Sequence, residues 1–315
     1  MEEMIFSLNA TIPIFLVMVV GFIVKQINMV DEHFVKILND VNFKVTLPVL
    51  VFRDIATSDF YQVWDTKYVF FCFFATMISI VVISIATGLL YKGSDEAGEF
   101  VQASYRSSAA VLGIAFIQNI YGTSGMAPLM IIGTVPLYNI AAVVILTFTG
   151  NKSESDMSKA MKKSIIGIIK NPIIIGIVFG MAVSLLRIEM TPIISKTVNN
   201  FAVLASPLAL FGLGAGFEGS KALKEIKPTI VATLIKLVIL PAVFLPAAIH
   251  LGFTTEKLVA VLVMLGAPTT PSCYVMAKSM GHRGVLTSSV VVSTTLLCSV
   301  TLTIWLYILR LFMLV

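Results

Sequence analysis

Long apolar stretches alternate with short polar segments along the whole chain. Each stretch is close to the roughly 20 residues that a helix needs to cross the hydrocarbon core of a bilayer. The pattern therefore predicts an all-α membrane protein with ten spans joined by short loops. These spans cover residues 5–25, 34–54, 68–91, 100–121, 126–149, 164–187, 192–216, 228–250, 256–278 and 285–312.

The composition supports this interpretation. Hydrophobic residues make up 57% of the 315 residues, charged residues only 12%, and the mean hydropathy is +0.96. Soluble domains carry about 25% charged residues, so a soluble enzyme, a disordered chain and a nucleic-acid-binding module are excluded. Zinc-hydrolase, serine-hydrolase and nucleotide-binding motifs are absent from the sequence, so no enzyme, cofactor or metal site is expected.

The distribution of basic residues predicts the orientation. Cytoplasmic loops of membrane proteins are enriched in Lys and Arg. More of the 22 basic residues lie in the connections that share a side with residues 150–163 than in the opposite set. We therefore expect a plasma-membrane protein with both termini outside and with 150–163 as a cytoplasmic linker.

The chain contains an internal repeat. Shifting the sequence by 159 residues aligns its halves, 1–149 and 164–315, and each half holds five spans. An odd number of spans forces the two copies to enter the membrane in opposite directions, which predicts an inverted repeat of the kind common in secondary transporters. The glycine and proline pairs that align are Pro13 with Pro172, Gly21 with Gly180, Pro48 with Pro207, Gly122 with Gly281, and Gly125 with Gly284.

Two spans are predicted to be broken. Span nine contains Pro268 and Pro271, which remove two amide donors and clash with the preceding turn. The repeat superposes Ala109 on Pro268, so span four is expected to break beside Ser107 and Ser108. Kinked but continuous helices packed by small residues are the alternative.

Three basic residues fall inside spans, where charge is costly and usually faces water or the bundle interior. Lys236 lies eight residues past Pro228, or about 12 Å along a helix, which favours an internal cation over a snorkelling side chain. Arg106 is placed either to attract an anion or to reach lipid phosphate. Both interpretations stay open for Lys44, which is close to Asn42.

These segments together resemble the auxin efflux carrier family. The likeness is to its short prokaryotic form, which includes malate and malonate permeases, within the bile, arsenite and riboflavin transporter superfamily. The resemblance covers essentially the whole chain. It rests on 39–52 with Leu47-Pro48, on 106–122, on 267–281 with Tyr274-Val275-Met276-Ala277, and on 290–297.

The resemblance implies a scaffold domain of spans 1, 2, 6 and 7 and a transport domain of spans 3–5 and 8–10. Spans 4 and 9 would cross as broken helices, and the family implies an elevator-like motion and a homodimer. The chain departs from the family in having Ser108 and Ser272 where Asn is frequent. It has Ala115 in place of Pro, and no carboxylate between Tyr68 and Thr76.

The sequence thus predicts a transporter of small organic anions, either mono- or dicarboxylates or auxin-like acids. A proton or sodium would be the coupling ion. The lipid bilayer is an expected partner, and nucleic acid is not. A sodium-coupled carrier of the bile-acid type is one alternative. A membrane sensor is another, disfavoured because the chain ends at Val315 directly after span ten. The candidate substrate-binding residues are Asn42, Lys44, Pro48, Arg106, Ser107, Ser108, Lys236, Thr269, Thr270, Pro271 and Ser272.

Overall fold

The computed structural model describes residues 2–57, 65–90, 96–109, 126–150, 169–217 and 223–315, together with Ile117, Ile120, Tyr121 and Ile166. The described residues form helices and connecting segments with no strand, which confirms the predicted all-α class. Eleven helices run through them. They are α1 (Glu2–Gln26), α2 (32–56), α3 (Thr66–Leu90), α4 (Ala97–Tyr105), α5 (Ala127–Gly150), α6 (Pro172–Leu185), α7 (Pro192–Ala215), α8 (Ile226–His250), α9 (Thr255–Gly266), α10 (Ser272–Ser279) and α11 (Val285–Leu311).

Two helices contain a π turn that ends two residues before a proline. The turn Asn42–Thr46 lies within α2 and precedes Pro48, and Ile235–Ile239 lies within α8 and precedes Pro241. Proline has no amide hydrogen and its ring clashes with the carbonyl four residues back, so the wider turn relieves the clash. In α8 the carbonyl that loses its helical donor is that of Leu237, which accepts a 3.0 Å hydrogen bond from the indole of Trp305.

Five helices are long and apolar enough to cross a membrane, namely Thr66–Leu89, Leu129–Thr149, Pro192–Ala215, Ile226–His250 and Val285–Leu311. The helix α6 is apolar but shorter. Ile166 and Ile169 before it are also helical, so the predicted span 164–187 is interrupted at 170–171 and α6 begins at Pro172. The reason is local. Asn171 has an extended backbone, and its side chain accepts the Ile173 amide at 2.9 Å, so a new helix starts there.

The outward faces of the helices are apolar. Phe70 on α3 and Phe179 on α6 are 52% and 62% exposed, and further large hydrophobic side chains are exposed on α7 and α11. A soluble protein rarely exposes contiguous apolar surface on this scale. These faces are suited to contact with lipid.

The buried apolar residues form two separate clusters. The first draws its members from α3, α4, α5, α8, α9 and α11, and from residues close to their ends. The second is built mainly from α1, α2, α6 and α7, with additions from α5, α10 and α11. The boundary between the clusters runs past the interruption between α9 and α10.

Helices of the two sequence halves pack on each other reciprocally. The helix α1 packs along α7, and α2 packs along α6. A Cβ atom at Gly21 would contact the Phe211 carbonyl oxygen, and one at Gly180 would lie 2.9 Å from that of Phe52. The two contacts are related by the 159-residue shift that aligns the halves, and each requires glycine because the backbones approach so closely.

Ion pairs join the connecting segments at two opposite faces. Lys257 and Asp65 lie 2.5 Å apart beside the starts of α9 and α3, and the hydrogen bond from Lys257 lowers the pKa of the Asp65 carboxyl. Arg283 and Glu96 lie 2.9 Å apart beside the starts of α11 and α4. Each ion pair thus joins two segments that the alternating span directions place on the same side of the membrane.

The close packing of α6 on α2 generates a stability prediction. A Cβ atom at Gly176 would lie 2.5 Å from the Pro48 carbonyl oxygen, which is backbone and cannot move aside alone. We expect Gly176→Ala to destabilise the protein by about 1–3 kcal/mol, the usual cost of overpacking. Thermal unfolding of the purified protein in detergent measures the effect.

Gly88→Ala is the matched control, since nothing lies within 4 Å of the Cβ position there. Alanine also favours the helix more than glycine does, so this variant should melt at or slightly above the wild-type temperature. Equal melting temperatures for the two variants would contradict the packing described here.

Candidate functional site

The helix predicted as span nine is interrupted. The helix α9 ends at Gly266, residues 267–271 are not helical, and α10 begins at Ser272. Pro268 is responsible, because it cannot donate to the Met264 carbonyl and disfavours helical geometry at Ala267. Ala267 has an extended backbone, with ψ at 156°. The alternative prediction for this span, a kinked but continuous helix, is therefore wrong.

The helix predicted as span four also stops. The helix α4 ends at Tyr105, Arg106 has an extended backbone with ψ at 139°, and residues 106–108 are not helical. Most of the second half of this span lies outside the described residues, so its continuation stays a prediction. The first half ends beside Ser107 and Ser108, at the position that the repeat predicts.

The two interruptions are bonded directly to each other. The Ser108 amide donates to the Pro268 carbonyl at 2.9 Å, and the Thr269 hydroxyl donates to the Ala103 carbonyl at 2.7 Å. These bonds satisfy backbone groups that lipid cannot satisfy. Further contacts run from the Ser107 hydroxyl to the Val263 and Ala267 carbonyls, and from the Gln102 amide to the Cys273 carbonyl.

Arg106 carries the charge of this crossing. Its guanidinium is buried, with the residue 3% exposed, and it donates to the Asn139 amide oxygen at 2.9 Å and the Ser272 hydroxyl at 3.0 Å. Both bonds come from one terminal nitrogen, and the other terminal nitrogen lies 2.8 Å from the Met276 sulfur. Within the described part of the chain no carboxylate forms an ion pair with Arg106, and its Nε has no hydrogen-bond partner.

Two cavities lie between this crossing and the second hydrophobic cluster. The smaller has a volume of about 60 Å³ and is polar on the crossing side, where it is lined by Arg106, Ser107, Ser108, Asn139, Thr270 and Ser272. The larger has a volume of about 410 Å³ and a mainly apolar lining that includes Thr269, Pro207 and Leu210. Both cavities are bounded by Leu50, Ser108, Ser206 and Pro271, so they adjoin.

Two more charged side chains lie beside the cavities, and they neutralise each other. Asp54 borders the smaller cavity and Arg53 the larger one. The Arg53 guanidinium is 2.8 Å from the Asp54 carboxylate and also donates to Asn199 at 3.0 Å. Arg106 is therefore the one cation at the described cavities that lacks an anionic partner.

Seven of the eleven predicted residues are brought together by the structure. They are Arg106, Ser107, Ser108, Thr269, Thr270, Pro271 and Ser272, each of which borders one or both cavities.

The other four predicted residues lie elsewhere. Asn42 and Pro48 are buried where α2 packs on its neighbours, and the Asn42 amide donates to the Ala205 carbonyl of α7 at 3.0 Å. The Lys44 side chain is 63% exposed and pairs with Asp40 at 3.3 Å. Lys236 is buried against α9 and borders neither described cavity.

Sequence reasoning missed two polar residues that matter here. Asn139 orients Arg106, and the only signal for it was an amide side chain in the middle of an apolar span. Glu99, which lies one residue before the predicted span four, is buried and binds the start of α11. Its carboxylate accepts the Gly284 amide at 2.7 Å and the Thr287 hydroxyl at 2.7 Å. A negative charge at a helix N-terminus is stabilising, and here it joins the start of α11 to α4.

Comparison with known proteins gives one finding. A family model described as membrane transport protein matches residues 6–306. The matched range contains both interruptions and every residue that borders the two cavities. No curated protein matches the chain.

The bonds between the interruptions generate a prediction for Thr269. Thr269→Val keeps the shape of the side chain but removes its donor, which leaves the Ala103 carbonyl at the end of α4 without that hydrogen bond. An unsatisfied buried acceptor costs about 1–3 kcal/mol, so we expect a clear fall in melting temperature. Thr197→Val is the control, because that hydroxyl is exposed and bonds only within its own helix. Destabilisation of equal size in both variants would show that the crossing bond is unimportant.

Proposed function

The chain belongs to the membrane transport protein family, which is the auxin efflux carrier family, and we propose that it carries small organic anions. The family is one of transporters and not of enzymes, so the chain is a multi-pass membrane transporter. Its substrate and mechanism are proposals, and the arrangement of charge at the crossing supports them.

The observation that carries the proposal is the environment of Arg106. A buried cation is costly unless a counter-charge or a set of hydrogen bonds compensates it. Arg106 is buried beside a cavity, has no ion pair among the described residues, and has an unused Nε donor. A carboxylate is the counter-ion that a guanidinium binds most strongly, so an organic carboxylate is the ligand that fits.

The lining favours one carboxylate with an apolar body. A second carboxylate would need a second uncompensated cation, and Arg53 is already paired with Asp54. The larger cavity adjoins the smaller one and is mainly apolar, so an alkyl or aromatic group attached to the carboxylate would lie there. Of the mono- and dicarboxylates that the sequence allows, we therefore propose amphipathic monocarboxylates.

An elevator-like mechanism is supported by the two clusters and the reciprocal glycine contacts. The cavities lie between the cluster of α1, α2, α6 and α7 and the cluster that holds the crossing. We propose that the first is the scaffold and the second the moving transport domain. The contacts of Gly21 with Phe211 and of Gly180 with Phe52 support ten spans arranged as an inverted repeat.

The anion site generates the central prediction. Arg106→Gln removes the charge and should weaken carboxylate binding about 10- to 100-fold, the range expected for hydrogen bonds to a charged group. Arg106→Lys keeps the charge but loses the paired donors, so it should retain part of the affinity. Binding of hexanoate, phenylacetate, malonate and succinate to purified protein should be measured by calorimetry, and uptake in proteoliposomes.

The control is Arg187→Gln, an exposed arginine just beyond the end of α6. It should bind like the wild type. If Arg106→Gln is folded and binds hexanoate with wild-type affinity, the carboxylate site is elsewhere. Tighter binding of succinate than of hexanoate would contradict the monocarboxylate preference and leave the anion site itself intact.

We also propose that the protein lies in the plasma membrane with both termini outside, which predicts a labelling pattern. Ser155 lies in the 150–163 linker, outside the described residues, and Glu189 lies in the segment between α6 and α7. In intact cells a membrane-impermeant thiol reagent should label Glu189→Cys but not Ser155→Cys. The three native cysteines are buried and should stay silent. The reverse pattern would invert the orientation.

A further inference from the structure

Lys236 lies inside the transport-domain cluster in an unusual backbone setting. It belongs to the π turn Ile235–Ile239 of α8 and is fully buried. Its ammonium donates to the Leu265 carbonyl and lies 3.4 Å from the Met264 carbonyl oxygen. Within the described residues these two carbonyls are its hydrogen-bond partners, and no carboxylate pairs with it.

Both carbonyls have lost their helical donors. In a continuous helix the Met264 carbonyl would accept from residue 268, which is proline and has no amide hydrogen. The Leu265 carbonyl would accept from the amide of Thr269, which donates to the Thr294 hydroxyl at 3.1 Å instead. The two oxygens therefore form the free negative end of α9, buried where water and lipid do not satisfy them.

A pair of free carbonyls at the end of a half-helix is the usual ligand set for a monovalent cation in transporters with broken helices. Carbonyl oxygen is also a preferred ligand of hard cations. In this chain the position opposite the carbonyls is filled by the ammonium of Lys236. Among the described residues, the Met264 carbonyl also accepts a hydrogen bond from the Tyr138 hydroxyl at 3.3 Å.

We propose that Lys236 is a tethered cation that takes the place of a dissociable ion at the end of α9. The ammonium holds the helix end in register with the interruption, and the Ala267 and Pro268 carbonyls of that interruption contact Ser107 and Ser108. Lys236 is thus a positioning residue for the crossing. The expected effect of Lys236 on substrate binding rests on the proposed anion site. Its expected effect on the stability of α9 does not.

The first test uses the wild-type protein. Because the cation is covalently attached, melting temperature and hexanoate affinity should be equal in sodium, potassium and tetramethylammonium chloride at the same ionic strength. A saturable stabilisation by sodium alone would overturn the inference, since it would show that a dissociable ion binds in addition.

The second test removes the tether. Lys236→Ala deletes three carbons and the ammonium, a gap that matches n-propylammonium in length. The variant should be less stable than the wild type and should regain stability saturably with n-propylammonium, because a ligand that binds the folded state raises its apparent stability. Tetramethylammonium is the control ion, since it has the same charge and no N–H donor.

Two further variants separate charge from packing. Lys236→Met fills the space without charge, so it should fold, show no response to n-propylammonium, and bind hexanoate about 10-fold more weakly than the wild type. Lys196→Met, at an exposed lysine of α7, should match the wild type in every assay.

The outcomes keep the two proposals distinguishable. Rescue of Lys236→Ala by n-propylammonium without any organic anion supports the tethered cation even if Arg106 proves not to bind carboxylates. An equal response of Lys236→Ala and Lys236→Met to n-propylammonium would overturn it. So would wild-type stability and wild-type hexanoate binding in Lys236→Met. Should Lys236→Ala fail to fold in every buffer, the wild-type ion series and Lys236→Met still decide the question.

Discussion

A helix broken inside a membrane protein must have its free backbone groups satisfied by the protein itself, and this constraint organises the whole crossing. Pro268 removes a donor, α9 ends, and the Met264 and Leu265 carbonyls lose their partners. One response is the bond from the Ser108 amide to the Pro268 carbonyl, which forces the end of α4 to meet the end of α9. Each interruption thus supplies hydrogen bonds that the other needs.

The same constraint separates the roles of the two buried cations. Lys236 is bonded to helix-end carbonyls and borders neither described cavity, so its charge is already engaged by the protein. Arg106 is held by neutral groups, Asn139 and Ser272, which orient a guanidinium without neutralising it. A carrier of anions needs a cation that is fixed in place yet still lacks a counter-charge. Of the charged groups at the described cavities, Arg106 meets that requirement.

Much of this arrangement follows from the sequence, because a proline interrupts the helix in which it lies and the length of an apolar stretch can be counted directly. Those grounds predict the helices and the interruption at Pro268. The resemblance to the family, which the matched range confirms, rests instead on the motifs within 39–52, 106–122, 267–281 and 290–297. Side-chain direction is harder to predict, since depth along the helix favours an internal position for Lys236 but leaves both interpretations open for Lys44. Lys44 is exposed beside Asp40, whereas Lys236 is buried. The role of Asn139 depends on a contact across 33 residues, which no local pattern contains.

The 159-residue shift shows where the two halves stopped being equivalent. It relates Arg106 to Leu265, and it relates Lys236 to Met77. The glycine contacts that pack the helices are thus shared between the halves, whereas each cation occurs in one half only. In the first half the side chain at the interruption is charged and turned to a cavity. In the second half the equivalent residue offers its backbone carbonyl, and the charge that meets it comes from another helix. A symmetric site would place two like cations at one crossing, where they would repel each other. The asymmetry avoids this, because one cation is bonded to backbone carbonyls and the other is left for the proposed anion.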